Sequence, residues 1–196
     1  MASLFQRAVS ELRKLPGIGE RAAENLAFHL LSLPDSDFKN LISTLSELKH
    51  GILLCRECGL ISEQDPCRIC SSGKRERAVI CVVKNVQDAL HIERTHFYQG
   101  LYHVLGGLVS PLKKISERDI TLDQLKIRVS SLDIREIIIA LDSTVEGEAT
   151  ALLVRQALSA DGRIFTRLAT GMPHGADIEY LDAETLKKSL ANRVAC

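Results

Sequence analysis

The sequence predicts an α+β multidomain chain: an N-terminal helical domain, a small four-cysteine module, and an α/β domain with a mostly parallel sheet. Three observations predict it. Apolar residues recur at helical spacing through residues 3–49. Two Cys-x2-Cys pairs follow, at Cys55/Cys58 and Cys67/Cys70. From residue 78 onward, β-branched runs alternate with helix-spaced stretches, as in a parallel sheet with covered faces.

Residues 3–13 read as a helix with Leu4, Phe5, Ala8, Val9 and Leu12 on one face. Leu15-Pro16-Gly17-Ile18-Gly19 breaks it. A second helix spans 20–32, with Ala22, Ala23, Leu26, Ala27 and Leu30 as its buried stripe. Pro34 ends it. Ser36 and Asp37 are the expected caps of a third helix, 38–49, with Phe38, Leu41, Ile42, Leu45 and Leu48 inward. Beyond the cysteines, strands are expected at 78–83, 102–109, 136–141 and 163–169. Helices are expected at 87–95, 121–131, 148–158 and 183–193. The domains expected are therefore 1–53, 54–71, 78–173 and a C-terminal helical segment at 174–196, with 72–77 as the hinge.

Lys plus Arg and Asp plus Glu both number 25, so the formal net charge is zero. No global basic field exists, and nucleic acid would have to meet a local patch or a repeated, oligomeric surface. Aromatics make up 4% with no Trp, which leaves few rings for stacking unpaired bases. No apolar stretch approaches the ~20 residues that span a bilayer, and the N-terminus lacks a signal-peptide core. The expected location is the cytoplasm, with no membrane partner.

The spacing Cys-x2-Cys-x8-Cys-x2-Cys puts two thiolates on each of two tight turns, and two such turns complete a tetrahedron. Zinc favours four thiolates at structural sites, with no open position for chemistry. One Zn²⁺ per chain is expected on Cys55, Cys58, Cys67 and Cys70. Two redox-active pairs are the alternative. Cys81 and Cys196 read as ordinary thiols.

Leu15–Gly19 between two helices reads as a helix-hairpin-helix. Gly17 and Gly19 permit a tight turn that exposes backbone N–H groups at the start of the second helix, a sequence-independent phosphate cradle. Lys14 and Arg21, with Arg7 and Arg13 nearby, add phosphate contacts. The alternative is a plain helical turn. A second candidate is acidic: Asp142 ends the third strand, and Glu146 and Glu148 lie at the turn into the next helix. Ligands bind open α/β sheets at the carboxyl ends of strands, where hard oxygens hold Mg²⁺. Acids at a helix N-terminus also cap it. The six histidines show no metal or triad spacing, and no Gly-x4-Gly-Lys-[Ser/Thr] loop is present.

In this order, the modules resemble the RecR family of bacterial recombination mediators over essentially the whole chain. The likeness is carried by Leu15-Pro16-Gly17-Ile18-Gly19, Leu26-Ala27-Phe28-His29 and the four cysteines. Then come Ala78-Val79-Ile80-Cys81-Val82-Val83, Gly100-Leu101-Tyr102-His103-Val104-Leu105, and Val145-Glu146-Gly147-Glu148-Ala149-Thr150-Ala151. The resemblance implies a helix-hairpin-helix, a four-cysteine zinc finger and a Toprim domain. It implies a DNA repair role with RecO and RecF, loading recombinase onto gapped DNA, and a ring of four subunits. Some positions depart from the family pattern. Lys84-Asn85 stand where a catalytic Toprim domain carries a Glu, and Leu141-Asp142-Ser143 where the family often has Thr-Asn-Pro. Asn25, preceded by Glu24, stands where a basic residue is common, and the family's Gly-Val/Leu-Pro-Val-Gly-Gly appears as Gly171-Met172-Pro173-His174-Gly175-Ala176.

The expected function is therefore a non-catalytic DNA clamp and mediator, with Asp142, Glu146 and Glu148 as a Mg²⁺ site or a contact for RecO. The rival is a Toprim nuclease or topoisomerase-like enzyme using those acids with Mg²⁺. It needs a general acid or base and often a Tyr nucleophile, for which Tyr98, Tyr102 and Tyr180 have no evident placement.

Overall fold

The computed structural model describes residues 3–159 and 162–194, so Cys196 lies outside the described residues. The chain divides into two compact units, Met1–Ile52 and Leu53–Cys196.

The first unit holds α1 (Leu4–Leu12), α2 (Glu20–Ser32) and α3 (Asp35–Gly51). Ser3 and Gln6 form a capping box that starts α1, satisfying two otherwise orphaned N–H groups. The core is small: Val9, Ala23 and Ala27 are buried, with Phe5, Leu12 and Ile18 against them. The wider stripe expected on α2 is not buried. Ala22 and Leu26 are exposed, and Leu30 is half-buried. Nor do Phe38, Leu41, Ile42, Leu45 and Leu48 point into a core; α3 buries none of its residues. The small α1–α2 core leaves that stripe no partner within the unit. The third helix also starts earlier than expected, after Pro34, with no side-chain cap from Ser36 or Asp37.

The second unit is built on one parallel sheet, in the order β4-β3-β5-β6. These strands are β3 (Glu76–Val83), β4 (Gly100–Val104), β5 (Glu136–Ala140) and β6 (Ile164–Arg167). The helices are α5 (Val86–Glu93), α6 (Leu122–Ser131), α7 (Val145–Leu158) and α8 (Ala183–Ala191). Alternation along β3 sorts the two faces. Ile80 and Val82 join Leu125, Val129, Ile137 and Val154 in one cluster, on the side of α6 and α7. Cys81 and Val83 join Tyr102, Val104, Ala89 and the four finger cysteines in the other.

The cysteine segment contributes β1 (Leu53–Leu54), an antiparallel partner β2 (Ile61–Ser62), and the one-turn helix α4 (Arg68–Ser71). It is not an appendage, because its sulfurs belong to the apolar cluster of the sheet. The expected hinge at 72–77 lies inside this unit and is tied down. Arg75 pairs with Glu93 and donates to the carbonyls of Tyr98 and Gly100 at 3.2 and 3.3 Å. Arg77 donates to the carbonyl of Cys70 at 3.2 Å, and Glu76 already belongs to β3.

Two elements of the second unit differ from expectation in ways that bear on the sites. β4 runs over Gly100–Val104, because the chain leaves the sheet at Leu105 and Gly106 turns with φ +83°. The helix expected at 148–158 begins at Val145, capped by the Thr144 hydroxyl, so Glu146 and Glu148 stand in its first turn.

Candidate functional site

The cysteines form the most complete site. Each Cys-x2-Cys pair sits on a tight turn: Gly59 (φ +77°) follows Cys58, and Cys67 caps α4. All four residues are buried, and their sulfurs lie within 4.8 Å of one another, Cys58 and Cys67 at 3.6 Å. Tetrahedral Zn–S bonds of ~2.3 Å place sulfurs about 3.8 Å apart, so the donor set fits zinc. The sulfurs converge on one point, across the pairs, which is the arrangement of a metal centre and not of two separate redox couples. Backbone N–H groups of Cys67 and Cys70 point at the sulfurs of Cys55 and Cys67 at 3.3 and 3.5 Å. Burial is the largest influence on the Cys55 thiol and raises it. The backbone N–H groups of Cys67, Cys58 and Glu57 together outweigh that and bring it below its ordinary value. Burial pushes the Cys67 thiol up, and hydrogen bonding to Cys58 followed by burial pushes up that of Cys70. The Cys67 and Cys70 thiols thus resist ionising until a dication joins them; zinc would hold all four cysteines as thiolates. Cys81 behaves as the ordinary buried thiol expected, its pKa pushed up to about 12 by burial.

The finger and its neighbours also finish the outer edge of β4. The N–H of Val104 donates to the carbonyl of Cys58 at 2.8 Å. The Val104 carbonyl accepts from the Thr121 hydroxyl at 2.6 Å, and the Tyr102 carbonyl accepts from Arg128. A strand edge is a row of unpaired polar groups, and here three of them are taken up. His103 packs beneath it, buried, with Nε2 3.1 Å from the Thr121 carbonyl. A carbonyl can only accept, so Nε2 carries the proton. Burial holds its pKa down to about 4; the Thr121 bond opposes this and Arg128 adds to it.

The acidic corner sits at the carboxyl ends of β3 and β5. Lys84 follows β3 directly, and its ammonium lies 2.5 Å from the Asp142 carboxylate. That bond holds the Lys84 pKa above its ordinary value. Asp142, Glu146, Lys84 and Lys113 line one cleft of about 360 Å³. Glu148 is elsewhere engaged. Arg167 on β6 donates to both of its oxygens at 2.7 Å and holds the carboxyl below its usual range. The three carboxylates therefore do not converge; among the described residues, the cysteines are the one cluster with metal-ligand geometry. Gly147 makes the helix start possible: a Cβ there would lie 2.0 Å from the Asp142 carbonyl oxygen. No tyrosine lines the cleft. Tyr102 is fully buried, Tyr98 donates to the Leu101 carbonyl, and Tyr180 is exposed.

In the first unit, Gly17 adopts φ +81°, and Gly19 starts α2 with no side-chain cap. The N–H groups of the first turn are thus open to an anion. Arg7 and Arg21 are exposed and without ion pairs among the described residues, whereas Lys14 holds Glu11 at 2.6 Å and Arg13 faces Glu20 at 3.9 Å.

Lys84 and Arg128 are the site residues whose partners sequence reasoning missed. Arg128 had a signal: a charge within the buried stripe Leu122, Leu125, Val129 of α6.

Fold and site define a Toprim-fold protein with a four-cysteine metal centre and a helical hairpin. Family models match along the chain. They are the RecR helix-hairpin-helix (5–49), the RecR four-cysteine zinc finger domain (52–72), the Toprim domain (78–169) and the RecR C-terminal region (171–194). Recombination protein RecR of Bifidobacterium longum subsp. infantis is 42% identical over 189 residues, 96% of this chain and 94% of its own. RecR of Protochlamydia amoebophila is 43% identical over 182 residues, 93% and 92% of the two chains. RecR of Heliobacterium modesticaldum is 41% identical over 187 residues, 95% and 94%. The chain belongs to the RecR family of recombination proteins. Among the described residues, no helix is long and apolar enough to cross a membrane.

Proposed function

We propose that the protein is a non-catalytic, ring-forming DNA clamp that acts in the cytoplasm with RecO and RecF to promote recombinase loading on gapped DNA. One observation carries the non-catalytic reading. The strand end where a Toprim enzyme presents a carboxylic acid presents Lys84, and its ammonium neutralises Asp142 at 2.5 Å. A fixed cation in that position competes with Mg²⁺ and, being protonated at neutral pH, offers no base to take a nucleophile's proton. Of the two readings of the corner, a partner contact is therefore favoured over a Mg²⁺ site. Glu146 is its half-exposed member without a hydrogen-bonded carboxylate among the described residues.

DNA is held at Lys14, Gly17, Gly19 and Arg21: phosphate meets the uncapped start of α2, and Arg21 supplies charge. Between residues 1 and 33, four basic residues oppose three acidic ones, a net of +1. A single hairpin is thus weak, and several on one tetrameric ring make each contact after the first intramolecular. Ten large apolar residues of the first unit, from Leu4 to Leu48, are exposed, and a second copy of the chain supplies their cover.

The test is incubation with Mg²⁺ and supercoiled or nicked DNA, alongside a recombinase-loading assay on gapped DNA with RecO present. The expected result is stimulated loading with no change in the DNA. Cleavage or relaxation that disappears in Glu146→Gln would establish the enzyme instead.

A further inference from the structure

Arg128 lies on the buried face of α6, 7% exposed, yet among the described residues no carboxylate pairs with it. One arm of its guanidinium donates to the Tyr102 carbonyl on the outer edge of β4. The other donates to Cys70 Sγ at 3.2 Å, and Nε has no partner. A buried guanidinium without a counter-charge is strongly destabilising. Four thiolates around Zn²⁺ carry a net charge of minus two and supply that counter-charge where a neutral thiol does not. A guanidinium has fixed directions for its N–H groups, so it can hold a sulfur and a strand carbonyl in one plane at once.

We propose that Arg128 is the positioning residue of the metal centre: it ties the Cys70 thiolate to the edge of β4, so that metal occupancy decides whether that edge stays covered. The proposal rests on zinc as the occupant. With the metal bound, the guanidinium has its counter-charge, and Cys58, Thr121 and Arg128 between them satisfy the Val104 N–H and the carbonyls of Val104 and Tyr102. With the metal gone, the sulfur no longer compensates the guanidinium. Arg128 then leaves toward water through the adjoining groove, which Arg56, Glu57, Arg77, Gln124 and Ile127 also line. The Tyr102 carbonyl loses its donor, and a free strand edge is a template for pairing between chains.

The experiment compares full-length wild type, Arg128→Met and Arg128→Lys, purified with zinc and then with Co²⁺ in its place. Zinc content of the wild type comes first. A protein without stoichiometric zinc removes the occupant and with it both readings. With zinc present, release to an excess of a chromogenic chelator should be roughly 10–100-fold faster in Arg128→Met, the range for loss of an outer hydrogen bond to a metal ligand. Arg128→Lys should recover part of this. The sulfur-to-cobalt charge-transfer bands should move in Arg128→Met, which a purely packing role would not produce. In the wild type, which needs no variant to fold, chelation should speed amide exchange across α6 and β4. Unchanged release rates and unchanged cobalt bands in Arg128→Met would overturn the proposal while leaving the zinc reading intact. Chelation that leaves exchange in α6 and β4 as it was would overturn it equally.

Discussion

At the scale of the residue, local chemistry was legible and distant pairing was not. The four zinc ligands declare themselves because their spacing is short and the metal demands it. Lys84 and Arg128 do not, because Asp142 and Cys70 each lie 58 positions away in the chain. Gly147 gives a prediction whose sign the structure decides. In an exposed helix, Gly→Ala is usually stabilising by up to ~1 kcal/mol. Here the new Cβ would strike the Asp142 carbonyl oxygen, backbone that cannot swing away. Gly147→Ala should destabilise by roughly 1–3 kcal/mol in urea unfolding and disturb the acidic corner. A stabilised variant would mean that α7 starts differently. His103 gives the pH prediction. In the unfolded chain it binds a proton below pH 6.5, and in the fold only below about 4. The unfolded state therefore binds more protons across that window, and stability falls with falling pH. The loss amounts to about 3 kcal/mol, complete near pH 4. Unfolding midpoints followed from pH 7 to pH 4 at matched zinc content should fall more steeply in wild type than in His103→Gln. Parallel curves would contradict the assignment.

At the scale of the element, periodicity located the seven longer helices and the four strands of the parallel sheet, but not the short elements β1, β2 and α4 of the finger. What it could not supply was the partner of each face. On α3, the apolar stripe at Phe38, Leu41, Ile42, Leu45 and Leu48 is real, but the first unit by itself leaves it exposed. A hydrophobic period reports that a face will be covered and is silent on whether the cover comes from the same chain. The end of β4 was misplaced for a related reason: Leu105, Leu108 and Val109 are apolar, so the turn at Gly106 is hidden inside an apolar run. The finger matches a family model of its own over 52–72, and what its spacing does not reveal is that its sulfurs also pack into the sheet's apolar cluster. For the hairpin proposed to hold DNA, Lys14 is paired with Glu11, so Arg21 is the stronger expected phosphate contact. Arg21→Ala should weaken binding to all DNA sequences alike and lower the slope of log K against log salt by about 0.9 for each duplex phosphate left without its cation. Lys14→Ala should do less, and neither should change assembly. An unchanged slope in the double variant would show that this turn only connects two helices.

At the scale of the whole molecule, three ingredients must act together: a neutral chain, a weak basic hairpin and a large uncovered apolar surface. Zinc maintains the frame. Structural zinc contributes on the order of 10 kcal/mol to folding in small modules. Cys58→Ser should therefore lose the metal and yield unstable or insoluble protein, since the sheet's own cluster is opened with it. On the proposed reading, assembly maintains the function. If one hairpin neutralises only one or two phosphates, affinity comes from several hairpins on one DNA, and it must disappear when the copies separate. The most direct test is sedimentation of the intact protein with and without gapped DNA, in wild type and in a variant carrying Ile42→Asp and Leu45→Asp on the exposed face of α3. The wild type should sediment as an oligomer, tetrameric on the ring reading, and bind gapped DNA. The variant should sediment at lower mass and lose that DNA affinity while keeping its zinc and its fold. A wild type that is monomeric yet binds gapped DNA as tightly as the oligomer should would contradict the clamp.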